Sequence, residues 1–471
     1  MAVTADLPRP RSGVAASRTG PRSAERSTVP FLARPLTSYH LVMWSSGALV
    51  ALGLVMVLSA SSVRSFAVHG SSFAVFDKQA LWLIVGLPLM AVASRLPAKA
   101  WRVLAYPMLV ISALGLFVVL VPGIGTRVSG ATRWIDVGPA QLQPSEPAKL
   151  ALALWGADLL VRKQKLLRDW KHLVIPLLPV TALFVMLVMA EPDLGTTVTM
   201  VLVVMSLLFV VGAPMRMFGF VAGVILVLIG LLAVVEPYRL QRLTSFAHPF
   251  KHSQGGGYQA VQGLYALASG GWWGEGLGAS RAKWGSLPNA HTDYIFAIIG
   301  EELGLVGTLA VVSLFVVLGY AGFRIAARTR DPFVRLASAA VTTWLVGQAL
   351  INMGYVVGLL PVTGIPLPLI SFGGTSLVLT LFAVGMLASF ARSEPGVTQA
   401  LAARGPSRFA RAVARLTFWR TMELARSAAR PRPANRPAAR AARSTTRPSR
   451  RDATRGKPVR RGRGQRRPAS R

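Results

Sequence analysis

Residues 237–292 read PYRLQRLTSFAHPFKHSQGGGYQAVQGLYALASGGWWGEGLGASRAKWGSLPNAHT, and the chain continues at 293 as DYIFAIIGEELGLVGTL. The first stretch is a glycine-rich polar connection of 56 residues set between two long apolar runs. Connections of that length are either functional or disordered. Eight aromatic residues argue against disorder here. Just past the connection, Glu301 and Glu302 stand about two helical turns inside apolar sequence. One carboxylate at mid-membrane costs about 2.5–3.5 kcal/mol, so an adjacent pair requires a partner or a wet cavity. The chemistry is expected in this region.

Composition supports a membrane reading. The 471 residues are 52% hydrophobic and only 15% charged, with mean hydropathy +0.49. A net charge of +34 conflicts with that until it is located. Residues 391–471 hold 23 Lys/Arg against Glu394, Glu423 and Asp452, and residues 1–39 hold six Arg against Asp6 and Glu25. The expected organisation is therefore a basic tail over 1–39, a membrane domain over 40–392 and an Arg-rich tail over 393–471. Both tails are expected to be disordered by composition. Without cysteine, disulfides, thiolate metal sites and Cys nucleophiles are excluded. Residues 1–38 lack an uninterrupted apolar stretch, so the first span is expected to act as its own uncleaved insertion signal.

Apolar runs able to cross about 30 Å of hydrocarbon fall near 40–62, 79–95, 101–121, 146–161, 172–190, 194–213, 216–236, 293–321, 335–359 and 374–391. They predict an all-α integral membrane protein of about ten transmembrane helices. Basic residues gather in one set of loops: Arg95, Lys99 and Arg102; Arg162, Lys163, Lys165, Arg168 and Lys171; Arg216; and Arg324, Arg328, Arg330 and Arg335. Loops 191–193 and 360–373 have none. The positive-inside rule then puts both termini in the cytoplasm and the large loop between helices 7 and 8 outside.

Several motifs lie on that outer side. Asn289–Ala290–His291–Thr292–Asp293 opens the eighth span, where Thr292 or Asp293 could cap the helix and Asp293 could equally serve as a general base. His291 reads more simply as an interfacial histidine. Arg281 and Lys283, two apart in GASRAKWG, suit a phosphate or diphosphate, or else a solvated loop. The nearby GEGLGA lacks a preceding strand and is not a dinucleotide fingerprint; its glycines let backbone approach a ligand or a neighbouring helix. Glu146 and Lys149 share a helix face at the start of the fourth span, with Ser145 as a candidate N-cap. Arg133 and Trp134 precede them at the outer interface, and Glu191 and Asp193 form an acidic turn between spans five and six. In the uncharged connection 361–381, prolines break any helix, and Ser371, Thr375 and Ser376 could hydrogen-bond a sugar.

The run GATRWI, QPSEPAKLA, EPDLGTT, GGWWGEGLGASRAKWGSLPNAHTDYIFAIIGEELG and GIPLPLISFGGTS, in that order over residues 40–392, resembles the SEDS family (shape, elongation, division and sporulation). The SRAKW and LPNAHTD forms and the tails look like its division-type members rather than its elongation-type ones. The resemblance implies a peptidoglycan glycosyltransferase of ten helices that polymerises lipid II on the outer face. Asp293 would be the catalytic base, taking a proton from the acceptor sugar's 4-hydroxyl as that oxygen attacks the anomeric carbon of a lipid-diphosphate-linked donor. Arg133, Trp134, Glu146, Lys149, Arg281, Lys283 and Ser371 would bind substrate, with Glu191, Asp193, Glu301 and Glu302 as supporting acids. It further implies a class B penicillin-binding partner of the FtsI-like transpeptidase type and other division proteins, with FtsZ a candidate for the C-terminal tail. No cofactor is fixed, and a divalent cation stays open.

Two other functions compete. A flippase or transporter of lipid-linked precursors would also carry intramembrane acids, but the carboxylates here concentrate on the outer side and no inverted repeat is evident. A pure scaffold would need only the tails. Basic tails near anionic lipid gain about 1 kcal/mol per residue, so membrane lipids are expected contacts, and nucleic acid is not expected for a membrane-fixed chain.

Overall fold

A computed structural model describes residues 36–397 except 129–130, 139, 167–174, 222, 224–245, 253–254 and 256. In chain order the helices are α1 (Thr37–His69), α2 (Ala74–Ala93), α3 (Ala98–Val119), α4 (Ser145–Arg162), α5 (Leu177–Ala190), α6 (Leu194–Val211), α7 (Tyr258–Ser269), α8 (Ile295–Arg328), α9 (Pro332–Val356) and α10 (Gly374–Ala391). Among the described residues seven of these are long and apolar enough to cross a membrane: α1, α2, α3, α6, α8, α9 and α10. α5 is apolar but shorter. α4 carries Glu146, Lys149, Asp158 and Arg162. The expected span 216–236 and both tails lie largely or wholly outside the described residues.

The chain is a multi-pass helical protein, with one departure from the all-α expectation. Between α3 and α4 the segment 125–142 folds into an antiparallel sheet of β1 (Gly125–Val128), β2 (Ala131–Val137) and β3 (Ala140–Leu142), in that order. Thr126 pairs with Trp134, and Ile135 with Leu142. β-branched and aromatic residues at 126–135 suit a half-buried ladder, and so short a ladder leaves little trace in hydropathy.

α4 runs through the middle of the helical body, packed by α3, α6, α9 and α10. Fourteen of its residues are buried on every side, the pattern of a helix surrounded by other helices. The expected N-cap at Ser145 is not made. The N-cap position is Pro144, and the Ser145 hydroxyl is buried without a hydrogen-bond partner among the described residues.

α8 is broken at Gly304, whose φ of 66° only glycine adopts at low cost. The GGWWGEG segment fits into the break. Glu275 and Gly276 donate their N–H groups to the carbonyls of Glu301 and Glu302 (2.9 and 3.1 Å), and Leu305 N–H donates to Gly271 O (2.9 Å). A methyl on Gly304 would stand 2.4 Å from Gly274 N. These glycines serve a neighbouring helix, one of the two roles the sequence left open. Backbone groups released by the break are thereby satisfied, as an apolar surrounding requires.

The Glu301–Glu302 pair is buried at this break and fully partnered. Glu301 accepts from Ser280 Oγ, Arg281 N (2.8 Å) and Ala282 N (3.2 Å), while Glu302 accepts from Ser59 Oγ on α1 (2.6 Å) and lies 3.7 Å from Lys283 Nζ. The two acids thus fasten the connection to α8 and α1.

Candidate functional site

The glycine-rich connection, the sheet 125–142 and the segment 361–373 surround a cavity of about 1240 Å³. Its wall includes Arg133, Trp134, Glu146, Asp193, His291 and Asp293. Six candidates from four sequence-distant segments therefore meet at one space, which is large enough for a disaccharide-sized group.

Asp293 stands just before α8, half-buried. The preceding turn is set by Asn289 at φ 57°, a conformation asparagine tolerates. Asn289 O accepts from the N–H groups of Thr292 (3.1 Å) and Tyr294 (3.3 Å) and from the Thr292 hydroxyl (3.2 Å). The N-cap position of α8 falls on Tyr294, which makes no side-chain capping bond. The turn is instead held from two other elements. Asn352 Nδ2 and the Tyr355 hydroxyl, both on α9, donate to Asp293 O at 3.0 and 2.9 Å. Ser371 Oγ donates to Thr292 O (2.7 Å) and Phe372 N–H to His291 O (3.0 Å). Gly364, at φ 73°, faces the carboxylate: a methyl there would lie 3.6 Å from Asp293 Oδ2. Ser371 is thus a brace for the turn and not a wall residue, while Ser376 of α10 does face the cavity.

His291 lines the same wall with its ring 5.7 Å from that of Phe372. Burial, and secondarily the charge of Arg64, lower its pKa to about 4, so the imidazole is neutral at physiological pH.

The sheet and the turn after α5 meet at Arg133. Its Nε donates to Glu191 O (3.3 Å), its Nη2 donates to Pro192 O, and Asp193 Oδ2 lies 3.9 Å away. Asp193 is the N-cap of α6, accepting from Thr196 N (3.0 Å) and Thr196 Oγ1 (2.8 Å). Glu191 is completely buried, and neither carboxylate oxygen has a hydrogen-bond partner among the described residues. Burial, then the adjacent Asp193, raise its pKa to about 9, so it holds its proton at neutral pH.

Beneath the wall, Lys149 Nζ donates to Glu146 Oε1 (2.8 Å) and to Gln348 Oε1 (2.9 Å), and sits 5.0 Å from the centroid of the Trp344 ring. Gln348 Nε2 continues to Pro366 O (2.9 Å). Glu146 reaches the cavity, whereas Lys149 is 1% exposed and supports it from below. The other sequence candidates stand apart. Arg281 projects outward, 3.6 Å from Glu275, and Lys283 is buried against Gly278 O (2.5 Å) and Glu302. The proposed two-cation clamp at 281 and 283 does not open onto this cavity. No group of three or more His, Asp or Glu residues gathers as a metal site among the described residues.

Sequence reasoning missed Asn352, Tyr355 and Gln348, polar residues inside an apolar helix. Their signal was available: a buried polar side chain must find a partner.

The family model described as "Cell cycle protein" (FtsW, RodA and SpoVE) matches residues 39–395. "Probable peptidoglycan glycosyltransferase FtsW" of Mycobacterium tuberculosis is 46% identical over 398 residues, covering 83% of this chain and 76% of that protein. "Stage V sporulation protein E" of Bacillus subtilis is 39% identical over 349 residues, 73% of this chain and 94% of that one. Two solved structures are alike in fold. One, from "Structural coordination of polymerization and crosslinking by a peptidoglycan synthase complex", has TM-score 0.62 and 29% identity, covering 75% of this chain and 98% of that one. The other, rod shape determining protein RodA of Thermus thermophilus, has TM-score 0.55 and 29% identity, covering 75% and 97%. With a match spanning its whole helical body, this chain belongs to the FtsW/RodA/SpoVE family of SEDS proteins.

Proposed function

We infer that the chain is a peptidoglycan glycosyltransferase of the FtsW type, polymerising lipid II into glycan strands at the division septum. The observation that carries this reading is Asp293 on the wall of a large cavity it shares with Arg133, Trp134 and Glu146. FtsW relatives at 38–46% identity support the division role over elongation.

In the reaction, Asp293 takes the proton of the acceptor 4-hydroxyl. The freed oxygen forms a bond to the anomeric carbon of the donor from the face opposite the leaving group, and the bond from that carbon to the diphosphate oxygen breaks with inversion. The diphosphate leaves with the electron pair, and Arg133 is placed to offset its charge. Neutral His291 does not compete for the cavity's anions. Asp293 needs no covalent intermediate, since one positioned base suffices for an inverting displacement.

On this reading the cavity opens on the outer side of the membrane, the side the positive-inside rule assigns to the large loop. The partners follow from this reading: a class B penicillin-binding transpeptidase beside the membrane body, other division proteins, and FtsZ or anionic lipid at the Arg-rich tail. The test is polymerisation of labelled lipid II by purified protein together with its transpeptidase. Asp293→Asn is expected to lower the rate by about 100-fold or more while the melting profile stays unchanged. Wild-type rate in that variant would remove Asp293 as the base. Translocation of lipid II across liposomes without polymer would favour the flippase reading instead.

A further inference from the structure

Among the described residues that line the cavity, two are lysine or arginine: Arg133 and Lys78. Arg133 is anchored by two carbonyls and lies close to Asp193. Lys78 is exposed to the cavity, and no ion pair engages it among the described residues. They come from different walls. Arg133 belongs to β2, whereas Lys78 lies near the start of α2, which packs along α10.

That second wall is built stiffly. Gln79, buried beside Lys78, donates from Nε2 to Ser371 O (3.3 Å) and accepts from Gly373 N–H (3.4 Å). One turn further on, Trp82 lines the cavity and lies flush on Gly374, where a methyl would stand 2.4 Å from the indole. Lys78 is therefore presented from a fixed seam joined to the same segment, 366–373, that braces the Asp293 turn. Its ammonium is a mobile point charge on that fixed base, the form suited to a phosphate whose position shifts during reaction.

We propose that Lys78 binds a diphosphate on the α2–α10 wall, separate from the cation at Arg133. This rests on the glycosyltransferase reading. Joining two lipid-linked sugars brings two diphosphates to one cavity, and the wall offers one cation for each. Trp82 supplies an apolar face beside Lys78 for the first atoms of the lipid chain.

The experiment uses the full chain with its transpeptidase in phosphatidylcholine nanodiscs. Steady-state polymerisation is measured for wild type, Lys78→Ala and Lys78→Arg, alongside equilibrium binding of farnesyl diphosphate as a non-reacting probe. Lys78→Ala is expected to raise KM for lipid II about tenfold, as for loss of one charge-assisted hydrogen bond, with kcat changed by less than about twofold. Farnesyl diphosphate binding should weaken by a similar factor, and Lys78→Arg should restore both. An unchanged KM and unchanged probe binding in Lys78→Ala would overturn the proposal, as would equal losses in Lys78→Arg. Should wild type fail to polymerise, the glycosyltransferase reading falls, and probe binding alone then decides whether Lys78 holds a diphosphate. Repeating the binding in phosphatidylglycerol nanodiscs separates sources: a probe displaced there, with KM in phosphatidylcholine unaffected by Lys78→Ala, marks a headgroup site and overturns the substrate role.

Discussion

The side-chain amide of Asn352 donates to the main-chain carbonyl of Asp293 across 3.0 Å and to that of Ile365 across 2.8 Å. One buried amide on α9 thus ties the turn bearing the proposed base to the segment facing it. Asn352→Leu removes both bonds and leaves two buried carbonyls short of a donor, although the Tyr355 hydroxyl still reaches each at 2.9 Å. The expected loss is about 1–3 kcal/mol of stability. The rate of lipid II polymerisation should fall further than Tyr355→Phe makes it fall, with KM little changed. Equal rates in Asn352→Leu and wild type would show that the turn holds its place without α9.

Glu191 links stability to pH. Its folded pKa is about 9 against an ordinary 4.5, so the folded state keeps a proton that the unfolded state releases. Stability is full below about pH 4.5 and declines as pH rises toward 9, by about 3 kcal/mol at pH 7. His291 acts in the opposite sense below its ordinary 6.5, down to about 4, so the window pH 6.5–8.5 isolates Glu191. Glu191→Gln keeps the shape without the titration. Its melting temperature should vary less with pH than that of wild type across this window, and parallel curves would mean that Glu191 is ionised in the fold.

The Glu146–Lys149 pair is buried on both sides, at 2.8 Å. Removing one member leaves an uncompensated charge and costs about 3–5 kcal/mol. Lys149→Met and Glu146→Gln should each lower the thermal midpoint more than the double variant does. A double variant that simply adds the two losses would argue that the groups do not interact.

Gly304 is the point where α8 yields to the GGWWGEG segment. Gly304→Ala sets a methyl 2.4 Å from Gly274 N and forces a left-handed backbone on alanine. The strain alone is about 1–3 kcal/mol, and the clash adds to it. Limited proteolysis should cut near 270–285 faster in this variant than in wild type, while unchanged cleavage would mean that the segment is held from elsewhere.

Hydropathy and charge placement were enough to read a multi-pass helical body, and the ordered motifs were enough to read its family. Both are local properties: about 20 apolar residues declare a span wherever it packs. The convergence of Arg133, Trp134, Glu146, Asp193 and Asp293 was legible as a list of candidates on one side of the membrane. Their common cavity was not, because separations of up to 160 positions in the chain hold no information about distance.

Tertiary structure alone decided which charges are structural and which face the cavity. Arg281 and Lys283 read as a phosphate clamp from their spacing, yet burial turned Lys283 toward Glu302, since a charge taken out of water must be paired. Glu301 and Glu302 read as part of the chemistry, yet each found its hydrogen-bond donors at the break in α8. Conversely, Lys78 carries no motif and is distinguished only by the wall on which α2 leaves it. Residue type and spacing determine what a side chain can do; the dielectric and the partners around it determine what it does, and those come from packing between segments far apart in the chain.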